Sequence, residues 1–282
     1  MSARIVKICS DGYTVNINGQ RIRVVARGKI KHAGGGLCVG DYVDIKDGAI
    51  NKVHERKNKL IRPRVSNVDA VMIVVASQPK IDFLLVDKVL ISAKKACIEP
   101  YILVNKTDLG EEALNQITEQ YSNVCEIIKV SAKDKLGLEK IKDKLEGKTV
   151  VLAGQSAVGK TSLINALFSL SLRVGELSEK TNRGKHTTTY SEIYEDGTIS
   201  IIDSPGFAVI EVETAEEEVK ELYSEYLEYA GKCKFRGCMH IDEPDCAVKN
   251  AVESGRLSKE RYGRYAEIIK EIKKRRKENG NY

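Results

Sequence analysis

Residues 149–168 read TVVLAGQSAVGKTSLINALF: an apolar run, a loop bounded by two glycines, and then a helix-forming stretch. The loop fits G-x-x-x-x-G-K-[ST], and its flanks supply the strand before it and the helix after it that such a loop requires. Gly154 and Gly159 permit a tight turn whose backbone N–H groups surround phosphate oxygens, and the helix N-terminus adds favourable dipole charge. Lys160 is placed to reach the β- and γ-phosphates, and Thr161 to ligate Mg²⁺. Gln155, Ser156, Ala157, Val158 and Ser162 complete the expected nucleotide-contacting set.

A strand of this kind needs neighbours. VDAVMIVVAS (68–77), YILVN (101–105) and EIIKVSA (126–132) are similar apolar runs, as expected of parallel strands covered on both faces. Amphipathic helical stretches such as LLVDKVLISAKKA and EEALNQITEQYS separate them, so a doubly wound α/β sheet is expected. Asn105-Lys106-Thr107-Asp108 ends the second run, where the Asp108 carboxylate can accept from the N1–H and N2–H₂ donor pair that guanine has and adenine lacks. Asn105 and Lys106 would support the base and brace the phosphate loop. Ser131-Ala132-Lys133 fits a backbone-mediated base contact, although the triplet alone is a weak signal.

Asp203-Ser204-Pro205-Gly206 closes TISIID. Asp203 suits a Mg²⁺ water shell and the Gly206 amide a γ-phosphate contact. Between loop and Asp203 lies NRGKHTTTY (182–190), where one Thr would complete the Mg²⁺ shell. Thr188 is favoured, but the sequence does not choose among Thr187, Thr188 and Thr189. Phe207 stands where Ras-like enzymes carry the Gln that orients water, so turnover should be slow unless another group substitutes. His186 is the best local candidate.

These elements come in an unusual order. N-K-x-D and S-A-K precede the phosphate loop, whereas in most GTPases they follow D-x-x-G. The cyclic order is intact, which defines a circular permutation. Its consequence is that the segment after Gly206 leads directly into whatever follows the GTPase domain.

The flanks differ in character. Residues 1–64 hold 14 Lys/Arg against 5 Asp/Glu, while 65–214 hold 17 against 21 and 215–282 hold 15 against 14. About five short strands with turns at Asp11-Gly12 and Asn18-Gly19 suggest an OB-type β-barrel in residues 1–64. Its Arg21, Arg23, Arg27, Lys29 and Lys31 would give salt-dependent affinity for a nucleic-acid backbone. After Glu211 the chain reads as helical, with an acidic stretch from Glu216 to Glu228 and a basic tail from Lys270 to Lys277. Cys233, Cys238, His240 and Cys246 form a Cys₃His set suited to structural, tetrahedral Zn²⁺. The four other Cys (Cys9, Cys38, Cys97, Cys125) are scattered, as small buried apolar residues would be. No export signal, membrane span or long heptad run is evident, so a cytoplasmic monomer is expected.

An OB-type barrel (1–64), a permuted P-loop GTPase domain (65–214) and a helical zinc-knuckle domain (215–282) together resemble the RsgA/YjeQ family of small-ribosomal-subunit-dependent GTPases. The resemblance covers nearly the whole chain. It implies slow GTP hydrolysis to GDP and phosphate, stimulation by the 30S subunit, contact with 16S rRNA, and a role late in maturation of that subunit. It also points to a His just before the Thr run, which is His186. Two alternatives on the residues alone are a GTP-dependent RNA-binding scaffold with incidental hydrolysis and a permuted GTPase acting on the large subunit.

Overall fold

A computed structural model of the chain describes residues 2–9, 11–28, 30, 36–61, 63–170, 191–204, 212–278 and 280. The first five strands are β1 (Ser2–Cys9), β2 (Gly12–Ile17), β3 (Gln20–Ala26), β4 (Tyr42–Lys46) and β5 (Ala49–Val53). They pair in the order β1-β2-β3-β5-β4, and β4 returns to β1, so the barrel is closed and leaves no free edge. Asn18-Gly19 and Asp47-Gly48 make two tight hairpins, each with both central residues at positive φ, which matches the twist of the strands they join. Alternate residues Ala3, Ile5, Val15, Val24, Val43 and Ile50 fill the interior.

A short hairpin, β6 (Lys59–Leu60) and β7 (Val65–Ser66), leads into the α/β sheet. There β8 (Ala70–Val75), β9 (Glu99–Val104), β10 (Glu126–Lys129), β11 (Thr149–Ala153), β12 (Glu192–Glu195) and β13 (Ser200–Asp203) lie in the order β10-β9-β8-β11-β13-β12. All neighbours are parallel except β12, which runs antiparallel to β13. Every residue of β8 and β11 is buried, because α1 (Phe83–Lys95) and α2 (Glu112–Tyr121) cover one face while α3 (Leu138–Leu145) and α4 (Lys160–Phe168) cover the other. The sequence runs mark the parallel strands but not β12. Four residues of which only Ile193 is buried, with a glutamate at each end, carry little periodic signal. One backbone pairing, Lys7 with Glu192, makes the barrel and this sheet continuous.

The C-terminal part contains α5 (Glu216–Leu222), α6 (Leu227–Ala230), α7 (Ala247–Glu253) and α8 (Lys259–Glu278). The acidic stretch from Glu216 to Glu228 is not one helix. It breaks at Tyr223 into a 3₁₀ turn, Ser224–Tyr226, because Tyr223 and Tyr226 turn inward to pack on Tyr265 with ring centroids 5.1 and 5.3 Å away. On α8 the apolar stripe Tyr265, Ile268, Ile269, Ile272 faces the core, and the basic run is its exposed end. No helix among the described residues is long and apolar enough to cross a membrane.

Candidate nucleotide site and metal centre

The phosphate loop leaves the C-terminal end of β11, in the middle of the sheet, where open α/β sheets bind ligands. Its two glycines have steric reasons. At Gly154 (φ +131°) a Cβ would lie 2.3 Å from the Val74 carbonyl oxygen. At Gly159 (φ +98°) it would lie 2.4 Å from Asn105 Nδ2. The second approach is informative, because it brings the end of β9 directly against the loop.

Asn105 is 2% exposed and spans three motifs. Its Nδ2 donates to the Val158 carbonyl at 2.9 Å, and its Oδ1 accepts from the Ala132 amide at 3.2 Å. Lys106 Nζ donates to the carbonyls of Ala157 (2.7 Å) and Gln78 (2.9 Å). Thr107 Oγ1 donates to Val130 O at 2.9 Å, which fixes the turn that presents Asp108. Ser131 Oγ donates to Asp108 Oδ1 at 2.9 Å and also accepts from the Asp134 amide, while Lys133 Nζ lies 3.8 Å from the other Asp108 oxygen. Residues 105–108, 131–133 and 154–160 therefore converge through specific bonds, although they are separate in the chain.

Lys160 Nζ donates to the carbonyls of Gly154 (2.8 Å) and Gln155 (2.6 Å). Burial lowers its pKa and the nearby Asp203 carboxylate opposes that. For Asp203, burial raises the pKa, Lys160 counters it, and Glu192 adds to the rise. Asp203 is only 6% exposed, and its Oδ2 has no hydrogen-bond partner among the described residues. An orphaned, buried carboxylate oxygen beside a phosphate loop fits a cation and its water shell. Ser191 Oγ and Ser204 Oγ lie 2.7 Å apart, alongside Asp203. Thr161 and Ser162 are half-buried at the start of α4, and Ser156 and Ala157 are exposed at the loop tip. His186, Thr187, Thr188, Thr189, Gly206 and Phe207 lie outside the described residues.

The four knuckle residues form a second centre between α6 and α7. All four ligand atoms lie within 4.8 Å of one another. Cys233 Sγ is 3.6 Å from His240 Nδ1 and 3.8 Å from Cys246 Sγ, and His240 Nδ1 is 3.3 Å from Cys246 Sγ. A tetrahedron with Zn–S of ~2.3 Å and Zn–N of ~2.0–2.1 Å has edges of roughly 3.5–3.8 Å. The donor set and its spacing fit Zn²⁺. Glu243 braces the turn: burial works to raise its carboxyl, but the amides of Met239, Glu243 and Ile241 outweigh that and hold it at about 2. Tyr262 and Tyr265 hydroxyls donate to the carbonyls of His240 and Met239, both at 2.7 Å.

The other cysteines differ from the expectation of uniform burial. Cys38 is buried and Cys9 and Cys125 are half-buried, but Cys97 is exposed because it occupies a left-handed turn (φ +54°) after α1. The barrel arginines also have internal partners. Arg21 bonds to Glu192 and to the Ile193 carbonyl, Arg23 pairs with Asp11, and Arg27 pairs with Asp47. Lys29 and Lys31 lie outside the described residues. Sequence reasoning missed Gln155 as an acceptor, its Oε1 taking the Asp82 amide at 2.9 Å, and missed the carboxylate Glu192 altogether. Their signals are pairings across the fold, which one-dimensional spacing does not carry.

A central P-loop strand, an Asn bridge from its loop to the Asn105–Asp108 turn, and a chain order that places this turn first define a circularly permuted GTPase fold. Residues 53–213 match the model of the RsgA GTPase family, and the chain belongs to that family. A small ribosomal subunit biogenesis GTPase RsgA from Geobacillus sp. (strain WCH70) is 38% identical, over 97% of this chain and 98% of the relative. The protein of the same description from Thermotoga petrophila is 41% identical, with 92% of each chain covered. Among solved structures, YjeQ from Thermotoga maritima superposes with a TM-score of 0.80 at 35% identity, covering 96% of this chain and 98% of that one. YloQ, described as a circularly permuted GTPase, gives 0.74 at 34% identity, covering 97% and 95%.

Proposed function

We propose that this chain hydrolyses GTP to GDP and phosphate and assists late maturation of the small ribosomal subunit, bound to the 30S particle and its 16S rRNA as a cytoplasmic monomer. The observation that carries the nucleotide part is the Asn105 bridge, which ties the phosphate loop to the Asp108 and Ser131 turns. Asp108 would read guanine N1–H and N2–H₂, with Ser131 orienting its carboxylate and Ala132 and Lys133 bordering the base. Gly154 to Gly159 would surround the phosphates, with Lys160 on the β- and γ-oxygens. Thr161, Asp203 and one Thr of 187–189, preferably Thr188, would hold Mg²⁺ and its waters, with Gly206 on the γ-phosphate. Mg²⁺ supplies charge neutralisation at those oxygens. His186 would orient the attacking water in place of the missing Gln. The Cys₃His centre would hold one structural Zn²⁺. The small-subunit role is supported by the relatives described above, which are similar along almost their whole length.

The test has two arms. Labelled GTP and ATP are titrated into the wild type and Asp108→Ala: a preference for GTP that vanishes in the variant is expected, and an unchanged preference overturns the base-reading role. Multiple-turnover GTP hydrolysis is then measured with separated 30S and 50S particles. Stimulation by 30S alone is expected, and stimulation by 50S or by neither overturns the assignment to the small subunit.

A further inference from the structure

Three strands place a row of charges across the joint between barrel and sheet. Lys7 on β1 pairs with Glu192 on β12, and Glu192 pairs with Asp203 on β13. Directly opposed residues in antiparallel strands carry side chains on one face with Cβ atoms about 4.5–5.5 Å apart. A second carboxylate therefore stands beside the one assigned above to the Mg²⁺ shell. Its counter-ions belong to the barrel. Lys7 Nζ lies 2.5 Å from Glu192 Oε2, and Arg21 Nη1 lies 2.8 Å from Oε1 while its other Nη donates to Ile193 O at 2.6 Å.

We propose that Glu192 is a positioning carboxylate for the Mg²⁺·GTP site and that the barrel sets its effective charge: an RNA phosphate that draws Arg21 and Lys7 away leaves an uncompensated anion beside Asp203 and tightens Mg²⁺ binding. This rests on the nucleotide and RNA assignments proposed above. The exposures suit such an exchange. The side chains of Lys7 and Arg21 are 35% and 40% exposed, within reach of a polyanion, whereas that of Glu192 is 19% exposed. A guanidinium fork binds phosphate as well as carboxylate, so Arg21 has two chemically equivalent partners to choose between. The joint also has a second fastening that stays in place. Arg4 bonds to Glu195, Ser200 and Thr149, and Asn16 bonds to Glu195. Glu192 lies next to Ser191, whose hydroxyl meets that of Ser204, so its charge acts where β12 and β13 begin and end the site.

The experiment measures the Mg²⁺ concentration for half-maximal binding of a fluorescent, non-hydrolysable GTP analogue to the full chain. Lys7→Gln/Arg21→Gln removes two charges but keeps donors for Glu192 and Ile193 O. Its Mg²⁺ midpoint should fall by about three- to tenfold, the scale of unit charges several ångströms from a partly solvated ion. Adding Glu192→Gln to that variant should reverse most of the fall. A double-stranded RNA oligonucleotide, with its own binding followed by anisotropy, should lower the midpoint of the wild type in the same direction. An unmoved midpoint in the double variant, or no reversal by Glu192→Gln, overturns the role of Glu192. RNA that binds without moving the midpoint overturns the control by the barrel. If the oligonucleotide does not bind at all, the RNA assignment fails instead, and the two variants alone decide the effect of Glu192. If the wild type binds the analogue without regard to Mg²⁺, the nucleotide assignment fails and this proposal falls with it.

Discussion

At the C-terminal joint Asp87 of α1 is fully buried, with Arg261 and Arg264 of α8 at 3.1 and 2.5 Å. At the barrel joint Glu192 is held by two cations that remain more than a third exposed. Both are ion-pair contacts to the same GTPase domain, one to a helix and one to a strand, yet their physics differs. Arg261 also bonds to Glu225 at 2.6 Å and lies 4.8 Å from the ring centroids of both Tyr121 and Tyr223, so it has no water to fall back on. Burial lowers its pKa, but Asp87 and Glu225 outweigh that and raise it above the ordinary value. Breaking such a cluster strands a charge in low dielectric. Breaking the barrel pair returns Lys7 and Arg21 to solvent, at smaller cost. The C-terminal module is thus fixed to the GTPase domain through a buried cluster, while the barrel is held in part by contacts that a competing polyanion can exchange.

The largest effect that could break this comparison is loss of the Zn²⁺ proposed for the Cys₃His set. Cys238 and Cys246 belong to the same buried cluster as Tyr223, Tyr226 and Tyr265, so the Cys₃His set and the fixed joint share one core. Structural Zn²⁺ in small modules contributes about 10 kcal/mol or more of apparent binding free energy at neutral pH. Chelation, or Cys246→Ser, should therefore unfold residues around α7 and α8 and loosen Asp87 from Arg261. Metal analysis with hydrogen exchange along α8 checks this, and full protection of α8 in a zinc-free protein would show that the joint stands without the metal. Next in size is Asp87→Ala, which leaves Arg261 and Arg264 without their shared carboxylate and should cost about 3–5 kcal/mol. Thermal or urea denaturation measures it; a loss below about 1 kcal/mol would make the buried joint no stronger than the exposed one.

Those two joints also show how far the sequence could be read. The Gly154–Thr161 loop, Asn105–Asp108 and the Cys₃His set are local patterns with fixed spacing, and each marks a turn whose chemistry is written in adjacent residues. The barrel strands were legible from alternation and from the Asn18-Gly19 turn for the same reason. Asp87 and Arg261 were not, although a trace is visible afterwards: each interrupts an apolar stripe, Asp87 among Leu85, Val86, Val89 and Leu90, and Arg261 one turn before Tyr265 on the stripe of α8. A charge in such a stripe signals a buried partner, but the partner lies 174 positions away in the chain and only the fold pairs them. Arg21 shows a limit of another kind. Its basic surroundings suggested phosphate, and its fork is already occupied by Glu192 and Ile193 O.

On the barrel side, Arg4→Ala should have the larger effect of the available single changes. The Arg4 side chain is 12% exposed, and it donates to Thr149 at 2.6 Å, Glu195 at 3.1 Å and Ser200 at 3.3 Å, joining the start of the phosphate-loop strand to the barrel. Charge-assisted hydrogen bonds of this kind contribute about 1.5–3 kcal/mol, partly offset here by water that reaches the freed groups. A loss of about 1–2 kcal/mol in urea denaturation is expected, smaller than that of Asp87→Ala. A loss equal to or above it would reverse the order of the two joints.

Salt gives the smallest effect and the sharpest contrast. Raising ionic strength from about 0.05 to 0.5 M shortens the Debye length to a few ångströms and weakens exposed pairs far more than buried ones. Lys7–Glu192 and Arg21–Glu192 should each lose a few tenths of a kcal/mol, within the range that exposed pairs contribute in total. Among the described residues no other β1–β12 register pair adds to that of Lys7 with Glu192, so this end of β12 feels the loss, while Arg4 and Asn16 still hold Glu195 at the other end. Amide exchange at Glu192–Glu195 should rise by about two- to threefold with salt, while the amides of α1 around Asp87 stay unchanged. Equal acceleration at both places would mean that the barrel and the C-terminal module open together, and the distinction between an exchangeable and a fixed joint would be lost. Acceleration confined to β12 would place the weakest contact of the GTPase sheet beside Asp203, where an opening of a few tenths of a kcal/mol is felt at the nucleotide site.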